Sequence, residues 1–509
     1  MATVALSLAG CMVGPDYQKP AIATPAKWSG TAAAGADVTD ATPQLAAWWQ
    51  RLGDPQLDAL INEAVAGNLD VATAKAKVRE ARATYRQAGG TLAPSVSASA
   101  SATRAANGGN VSDTGDITIA GPFNTLQAGF DASWEIDLFG ANRRTIEAAR
   151  YSADAADEEL RATLVTLIGD VASNYVAARS YQARIALARR TAASQRETAA
   201  LTRTKLEAGA ASAMDVANAT GLAASTEADI PTLETAYAES VHRLSILTGQ
   251  APGALNARMK AAKPIPAPRL PLAAGIPADI VSSRPDVRQA ERQLAQSTAR
   301  VGNAVANRYP SVSLTGAVST SGVRIGDLAR QSSVSWSFGP TVSVPVFEGG
   351  QLKAAVDIAA AQRDQYFLAY HAAVLTAMED VDNAIVALGQ ERLRRGKLAS
   401  AAGAYRDAAR LSRALYQSGS TSFLDVLDAE RSLYSAEDAL IQSRAAIATD
   451  YVALNKALGG GWDGVIDASK PVVTDTRTWP KPEIGRIGPP EPASAIAPLP
   501  AETPARGKS

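Results

Sequence analysis

Asp425 and Asp428 are the carboxylates whose spacing first points to a joint task, because residues three apart share one face of a helix. Acids at a helix start also suit the positive end of its dipole, so the pair by itself fits an ordinary solvated helix N-terminus better than a joint site. Other chemistry is thinly supplied. The only two histidines, His242 and His371, stand 129 positions apart (371 minus 242) in separate helical runs, and each has the setting of a helix-face residue. No Gly-x-Ser-x-Gly elbow accompanies either, so Ser/His/Asp catalysis has no anchor. The single cysteine, Cys11, excludes an intrachain disulfide and any cysteine metal cluster. Neither enzymatic activity nor a resident metal or cofactor is expected.

Cys11 has a different use. Val4-Ala5-Leu6-Ser7-Leu8-Ala9-Gly10 is an apolar run ending in small residues directly before it, the pattern of a bacterial lipoprotein signal. Residues 1–10 are then the signal remnant, and Cys11 is the first mature residue, carrying an N-acyl chain and an S-diacylglycerol. Met12, rather than an aspartate, follows it, which favours the outer membrane. No run of eighteen apolar residues occurs elsewhere, so no transmembrane helix is expected; a membrane β-barrel would leave only a weak alternating signal.

Lys+Arg and Asp+Glu are both 50, so no basic field invites nucleic acid. Apolar residues reach 46% but aromatics only 5%, the balance of alanine-rich, closely packed helices.

The elements that must carry these residues are written twice. Gly209, Asp215, Leu244 and Gly249 recur as Gly419, Asp425, Leu454 and Gly459, always 210 positions later (419 minus 209), which marks an internal duplication. Asp54-Pro55 starts a helix running to about Gly89. From Pro94 the period changes to two. Leu126, Phe130, Trp134 and Ile136 share one strand face with alanines between them, while Gln127, Asp131, Ser133 and Glu135 take the other. A coiled-coil seam through Leu160, Leu164, Leu167 and Val171 then predicts a helix to about Lys205. After Gly209 a further helix runs to Gly249. The second half repeats the order: a helix over 278–307, strands carrying Val312, Leu314 and Val318 and then Trp336, Phe338 and Val342, a long helix over 351–416, and the closing helix.

The chain therefore divides into the remnant 1–10; a lipidated N-terminal strap, 11–54, lying on the surface; a first repeat, 55–249, with strands at about 94–104 and 125–138; a connector, 250–276; a second repeat, 277–462, with strands at about 310–320 and 333–347; and a proline-rich, disordered tail, 463–509. The fold class is mainly α with membrane β. Each half is a helix, a β-hairpin, a very long helix and a shorter helix. The strands are apolar on one face and serine- and glycine-rich on the other, as a wall between lipid and water requires. Four strands cannot close around water, and open edges are not tolerated in lipid, so copies must share the barrel; three copies and twelve strands are the simplest closure. Helices about 65 residues long would project roughly 100 Å from it as an α-helical barrel in the periplasm.

Several stretches resemble the TolC-like outer-membrane efflux factors, in particular their OprM/NodT lipoprotein branch. The carriers are Cys11-Met12-Val13-Gly14-Pro15-Asp16-Tyr17, Trp48-Trp49, Asp54-Pro55-Gln56-Leu57, Trp134-Glu135-Ile136-Asp137-Leu138-Phe139-Gly140, Ser283-Arg284-Pro285-Asp286-Val287, Tyr309-Pro310-Ser311-Val312, and Leu458-Gly459-Gly460-Gly461-Trp462. The resemblance implies a homotrimeric, lipid-anchored duct in the outer membrane with its helical body in the periplasm. It works with a periplasmic adaptor and an inner-membrane RND-type pump and passes drugs and toxic small molecules outward without covalent chemistry. Two alternatives stay open: the outer-membrane component of a type I protein secretion system, and a structural periplasmic lipoprotein.

The resemblance also assigns a periplasmic gate. Asp425 and Asp428 match aspartates that narrow the entrance, six carboxylates in three copies. Tyr416 matches a tyrosine of the closing network and Leu424 an apolar gate position. Gly209 with Asp215 mark the first-repeat tip and Gly419 the second. A basic residue that pairs with the first-repeat aspartate in TolC is replaced by Thr421, so that lock is not expected here.

Overall fold

The computed structural model describes residues 12–21, 23–29, 38–39, 45–106, 110–111, 117–118, 122–269, 272–275, 277–461 and 467–470. Cys11, the signal remnant, Trp462 and the tail apart from 467–470 lie outside the described residues.

The first repeat opens with α1 (Pro55–Gly67) and α2 (Leu69–Gly90). The apolar spacing predicts one helix here, but Asn68 divides it. Its backbone is extended, and its side-chain oxygen accepts from the amides of Asp70 (2.9 Å) and Val71 (3.1 Å), restarting the helix as an N-cap. Its amide donates to the Leu247 carbonyl at 3.0 Å, capping the far end of another helix. The second repeat breaks at the equivalent point, between α5 (Pro277–Ser283) and α6 (Pro285–Ala306). Pro285 forces its predecessor out of helical geometry, and Arg284 donates to the Ala457 carbonyl at 2.5 Å. Unlike side chains thus do the same work in the two halves. Both breaks were invisible to helical periodicity, which runs straight through them.

Four strands form one antiparallel sheet in chain order: β1 (Ser95–Ala105), β2 (Phe123–Ile136), β3 (Ser311–Gly322) and β4 (Val334–Ser343). The last strand ends earlier than the alternation predicts, because Pro345 has no amide to offer a ladder. Register keeps the faces pure. Phe130 pairs with Val318 and Val318 with Trp336; Ala132 pairs with Gly316 and Gly316 with Phe338. On the opposite face Ser97 meets Asp131, Ser133 meets Thr315, and Ser319 meets Ser335. Among the described residues no helix covers the apolar face: Trp336 is 76% exposed, Phe338 70% and Phe130 63%.

Beyond the sheet, α3 (Ala141–Glu207) and α7 (Gln351–Gln417) are each 67 residues, and α4 (Ala213–Leu247) and α8 (Phe423–Ala457) each 35. At 1.5 Å per residue these are roughly 100 Å and 50 Å long. The helices pack in a row. α3 lies in the middle, with α2 and α4 on one side and α6 and α8 on the other, whereas α7 has α6 and α8 on one side only. The end of α4 abuts the α1–α2 break, where a Cβ on Gly249 would sit 2.1 Å from the Gly67 carbonyl oxygen, so the shorter helices stack end to end along the longer one.

The main core sits where the strap, α1, α5 and both repeats meet. Leu57, Leu60, Ile61, Val171, Tyr175 and Tyr451 are all buried there. The strap was expected on the surface, yet Trp28 and Trp48 are among the most buried side chains. The Trp28 indole donates to the Gly275 carbonyl at 3.0 Å, which satisfies the polar group that ring brings inside, and Tyr451 donates to the Trp48 carbonyl at 2.9 Å, while the Trp48 indole N–H is buried without a partner among the described residues. Nearer the sheet, Val13 donates to the Phe139 carbonyl at 3.1 Å and buried Arg144 donates to Asp16 at 2.7 Å and to the Gly14 carbonyl at 3.2 Å. Gly14 is required here: its φ is +89°, and a Cβ would lie 2.5 Å from the Cα of Gly302. The strap therefore crosses the seam between α3 and α6 and pins it.

Candidate functional site

The two long helices end alike, in a turn that returns the chain into a shorter helix. At the end of α3 the amide of Ala210 donates to the Lys205 carbonyl (2.7 Å) and that of Gly209 to the Leu206 carbonyl (2.8 Å). At the end of α7 Ser420 donates to Leu415 (2.8 Å) and Gly419 to Tyr416 (3.1 Å). Both are Schellman closures, which need a left-handed residue; Gly209 and Gly419 each have φ +76°.

The helices that follow start from serines. Ser212 donates through its amide (2.9 Å) and hydroxyl (2.7 Å) to the Asp215 carboxylate, and the Asp215 amide returns a bond to the Ser212 hydroxyl at 3.1 Å. In the second repeat Ser422 donates to Asp425 through its amide (3.2 Å) and hydroxyl (2.9 Å), and Thr421 adds a short bond from its own hydroxyl. The hydroxyls of Thr421 and Ser422 and the Ser422 amide hold the Asp425 carboxyl below the usual carboxylate range. Thr421 therefore serves Asp425 within one turn and makes no link to the first repeat.

Asp428 is different from its partner. It lies on the same helix face as Asp425, is exposed, and makes no hydrogen bond or ion pair among the described residues. Its carboxylate is free for a ligand. Leu424 is 51% exposed on the same turn, and Met214, its first-repeat counterpart, is 65% exposed.

Tyr416 sits inside the tip instead of on its surface. Its ring packs edge-on to Phe423 at 5.8 Å within a small core of Ala219, Val426 and Leu427, and its hydroxyl is 3.2 Å from that of Thr202 on α3. Lys205 lies over the Tyr416 ring at 4.4 Å and donates to the Tyr416 carbonyl and, at 3.4 Å, to that of Gln417. A cation thus caps the negative end of α7 and stacks on an aromatic face, two modest attractions at one point. Just above, buried Glu430 accepts from Arg413 (2.7 Å) and from Thr198 (3.2 Å), so α3, α7 and α8 are cross-linked. Sequence reasoning did not single out Lys205 as a fastener. Its signal was a basic residue in the last turn of a helix where the other repeat has Leu415.

The tip joins two pairs of helix ends through a few polar links and exposes the Asp428 carboxylate. At the other end of the same helices stands a sheet with one bare apolar face and one hydroxyl-lined face. That combination is found in a known group of proteins. Residues 60–250 and 276–460 match the family model described as outer membrane efflux protein. The chain belongs to that family.

Among relatives of this efflux protein, nodulation protein T of Rhizobium leguminosarum bv. trifolii is 36% identical over 465 residues, covering 91% of the chain and 97% of the relative. The cation efflux system protein CusC of Escherichia coli is 32% identical over 463 residues, with coverage of 90% and 97%. The solved outer-membrane channel OprN superposes with a TM-score of 0.83 at 34% identity, covering 89% of this chain and all of OprN. The efflux protein thus shares its whole architecture, both repeats and the sheet, with outer-membrane channels.

Proposed function

We propose that three copies of this chain close a twelve-stranded barrel in the outer membrane and a helical tunnel below it. The assembly is the exit duct of a tripartite efflux system, fed by an inner-membrane RND-type pump through a periplasmic adaptor. The observation that carries this reading is the sheet: among the described residues its apolar face is bare, its other face is lined by hydroxyls, and both edge strands, β1 and β4, lack a neighbour on one side. A soluble spacer would bury such a face, so the structural-lipoprotein alternative fits less well. Relatives named for the efflux of cations, solvents and antibiotics share the scaffold, which favours small solutes of varied chemistry over secreted proteins as cargo.

Cys11 as a lipid anchor fits the path of the strap. Met12 lies against Gly140, where β2 hands over to α3, which is the level at which a barrel meets its periplasmic tunnel. At the opposite end Asp428, with Asp425 and Leu424 beside it, narrows the mouth. Three copies bring six carboxylates to one opening and favour cations there.

Native mass spectrometry in detergent is expected to give three chains, and planar bilayers containing the protein are expected to conduct. A monomer, or a trimer without conductance, overturns the duct. Cys11→Ser is expected to abolish incorporation of labelled palmitate while leaving the trimer assembled; palmitate retained in that variant would exclude Cys11 as the anchor.

A further inference from the structure

The duplication extends to how helices pack: α2 lies on α3 as α6 lies on α7. One seam joins the two halves inside the chain, α3 against α6. Its counterpart, α7 against α2, cannot form within one chain, because those helices stand at opposite ends of the row. We infer that the free flank of α7 docks on α2 of a neighbouring copy in the register that α3 uses on α6, and that Arg86 is the residue filling this seam. The inference rests on the three-copy reading above.

The internal seam fixes the register. Asn303 donates to the Ala141 carbonyl at 2.9 Å, Arg288 pairs with Glu158 at 2.7 Å, and a Cβ on Gly302 would lie 2.7 Å from Nε of Arg144. α6 and α2 are both 22 residues, starting at Pro285 and Leu69, so their equivalents differ by 216 (285 minus 69); α7 follows α3 by 210 (351 minus 141). The facing pair Gly302 and Arg144 then becomes Arg86 and Ala354. Large and small have changed sides, and the space between the helices stays filled. The ionic pair Arg288 and Glu158 becomes Ala72 and Leu368, an apolar pair, and Leu368 is 63% exposed in the single chain.

Charge follows the same exchange. In the internal seam Arg144 is held by Glu147 at 2.7 Å and by strap carbonyls. The strap occurs once per chain, so the second seam has no such carbonyls to offer. The equivalent of Glu147 is Asp357, one helical turn from Ala354. Arg86 and Asp357 are both exposed and have no partner among the described residues. Leu375 and Leu393, 52% and 64% exposed, continue the uncovered flank along α7.

The full-length chain carrying Arg86→Cys and Ala354→Cys together tests the register. Under mild oxidation it is expected to run as covalent trimers on a non-reducing denaturing gel, while either single substitution, Cys11 being present in all, runs as monomer. No cross-linking in a double variant that native mass spectrometry shows to be trimeric overturns the inference and leaves the duct standing. A monomer by native mass overturns both. Independently, Arg86→Glu is expected to lower the temperature at which the trimer dissociates, and Asp357→Lys in the same chain to restore it. Absence of restoration removes the ion pair from the seam.

Discussion

Asp425 and Asp428 share a helix face but not a role. Three donors of its own turn occupy one oxygen of Asp425, whereas Asp428 has none. Block by a multivalent cation added on the periplasmic side of a bilayer should therefore weaken severalfold in Asp428→Asn and much less in Asp425→Asn. The latter should instead loosen the helix start, where Asp425 is the third helical residue and closes a capping box with Ser422. Equal loss of block in both variants would contradict the division of labour. A second carboxylate, Asp450 on α8, is pushed up to about 6 by burial and by the nearby charge of Glu391. Its folded-state value lies above the unfolded one, so the folded protein holds the extra proton, and stability falls as pH rises between about 4 and 6. Because Asp450 is only partly buried, the penalty above that window is discounted for solvent screening to on the order of 1 kcal/mol. Asp450→Asn should melt higher than wild type at pH 7.5 and level with it at pH 4.5; an unchanged difference at the two pH values would remove the titration from the explanation.

The elements that close the tip are few and separable. Gly419 has open space where a Cβ would go, so Gly419→Ala should cost only the left-handed backbone, about 1 kcal/mol, without disturbing neighbours. Lys205→Met removes the fastener from the end of α7, and single channels of that variant should show raised resting conductance. Conductance at the wild-type level would show that the Glu430 link holds the tip closed unaided. Most of the helices and strands were legible in the sequence because their periods are strong: seven-residue seams along α3 and α7, strict alternation along β2 and β4. The breaks at Asn68 and Arg284 were not, because a single capping side chain interrupts a helix without disturbing the apolar spacing on either side. Nor was the burial of Trp28 and Trp48, since a proline-rich strap carries no period to show which residues turn inward. At the tip, spacing found the acids and the glycines. It did not separate Asp425 from Asp428, because that distinction lies in who donates to each carboxylate, nor did it show that Tyr416, assigned to the closing network, packs beneath the acids against Phe423 and Lys205.

On the scale of the whole molecule, the four-stranded sheet has no strand beyond either edge and α7 has no helix along one flank among the described residues. Equality of the paired helices, 67 residues with 67 and 35 with 35, has a consequence for what changes the protein tolerates. Deleting one residue from α3 or α7 would shorten it by about 1.5 Å and rotate everything beyond by about 100°, carrying the end turn out of level with its counterparts. Insertions and deletions should therefore be excluded from these helices and admitted at the far end. The two hairpin connections there already differ, Ala105 to Phe123 in one half and Gly322 to Val334 in the other. Between the two halves of this chain, length differs at the sheet end and is identical along the helices that lead to the tip.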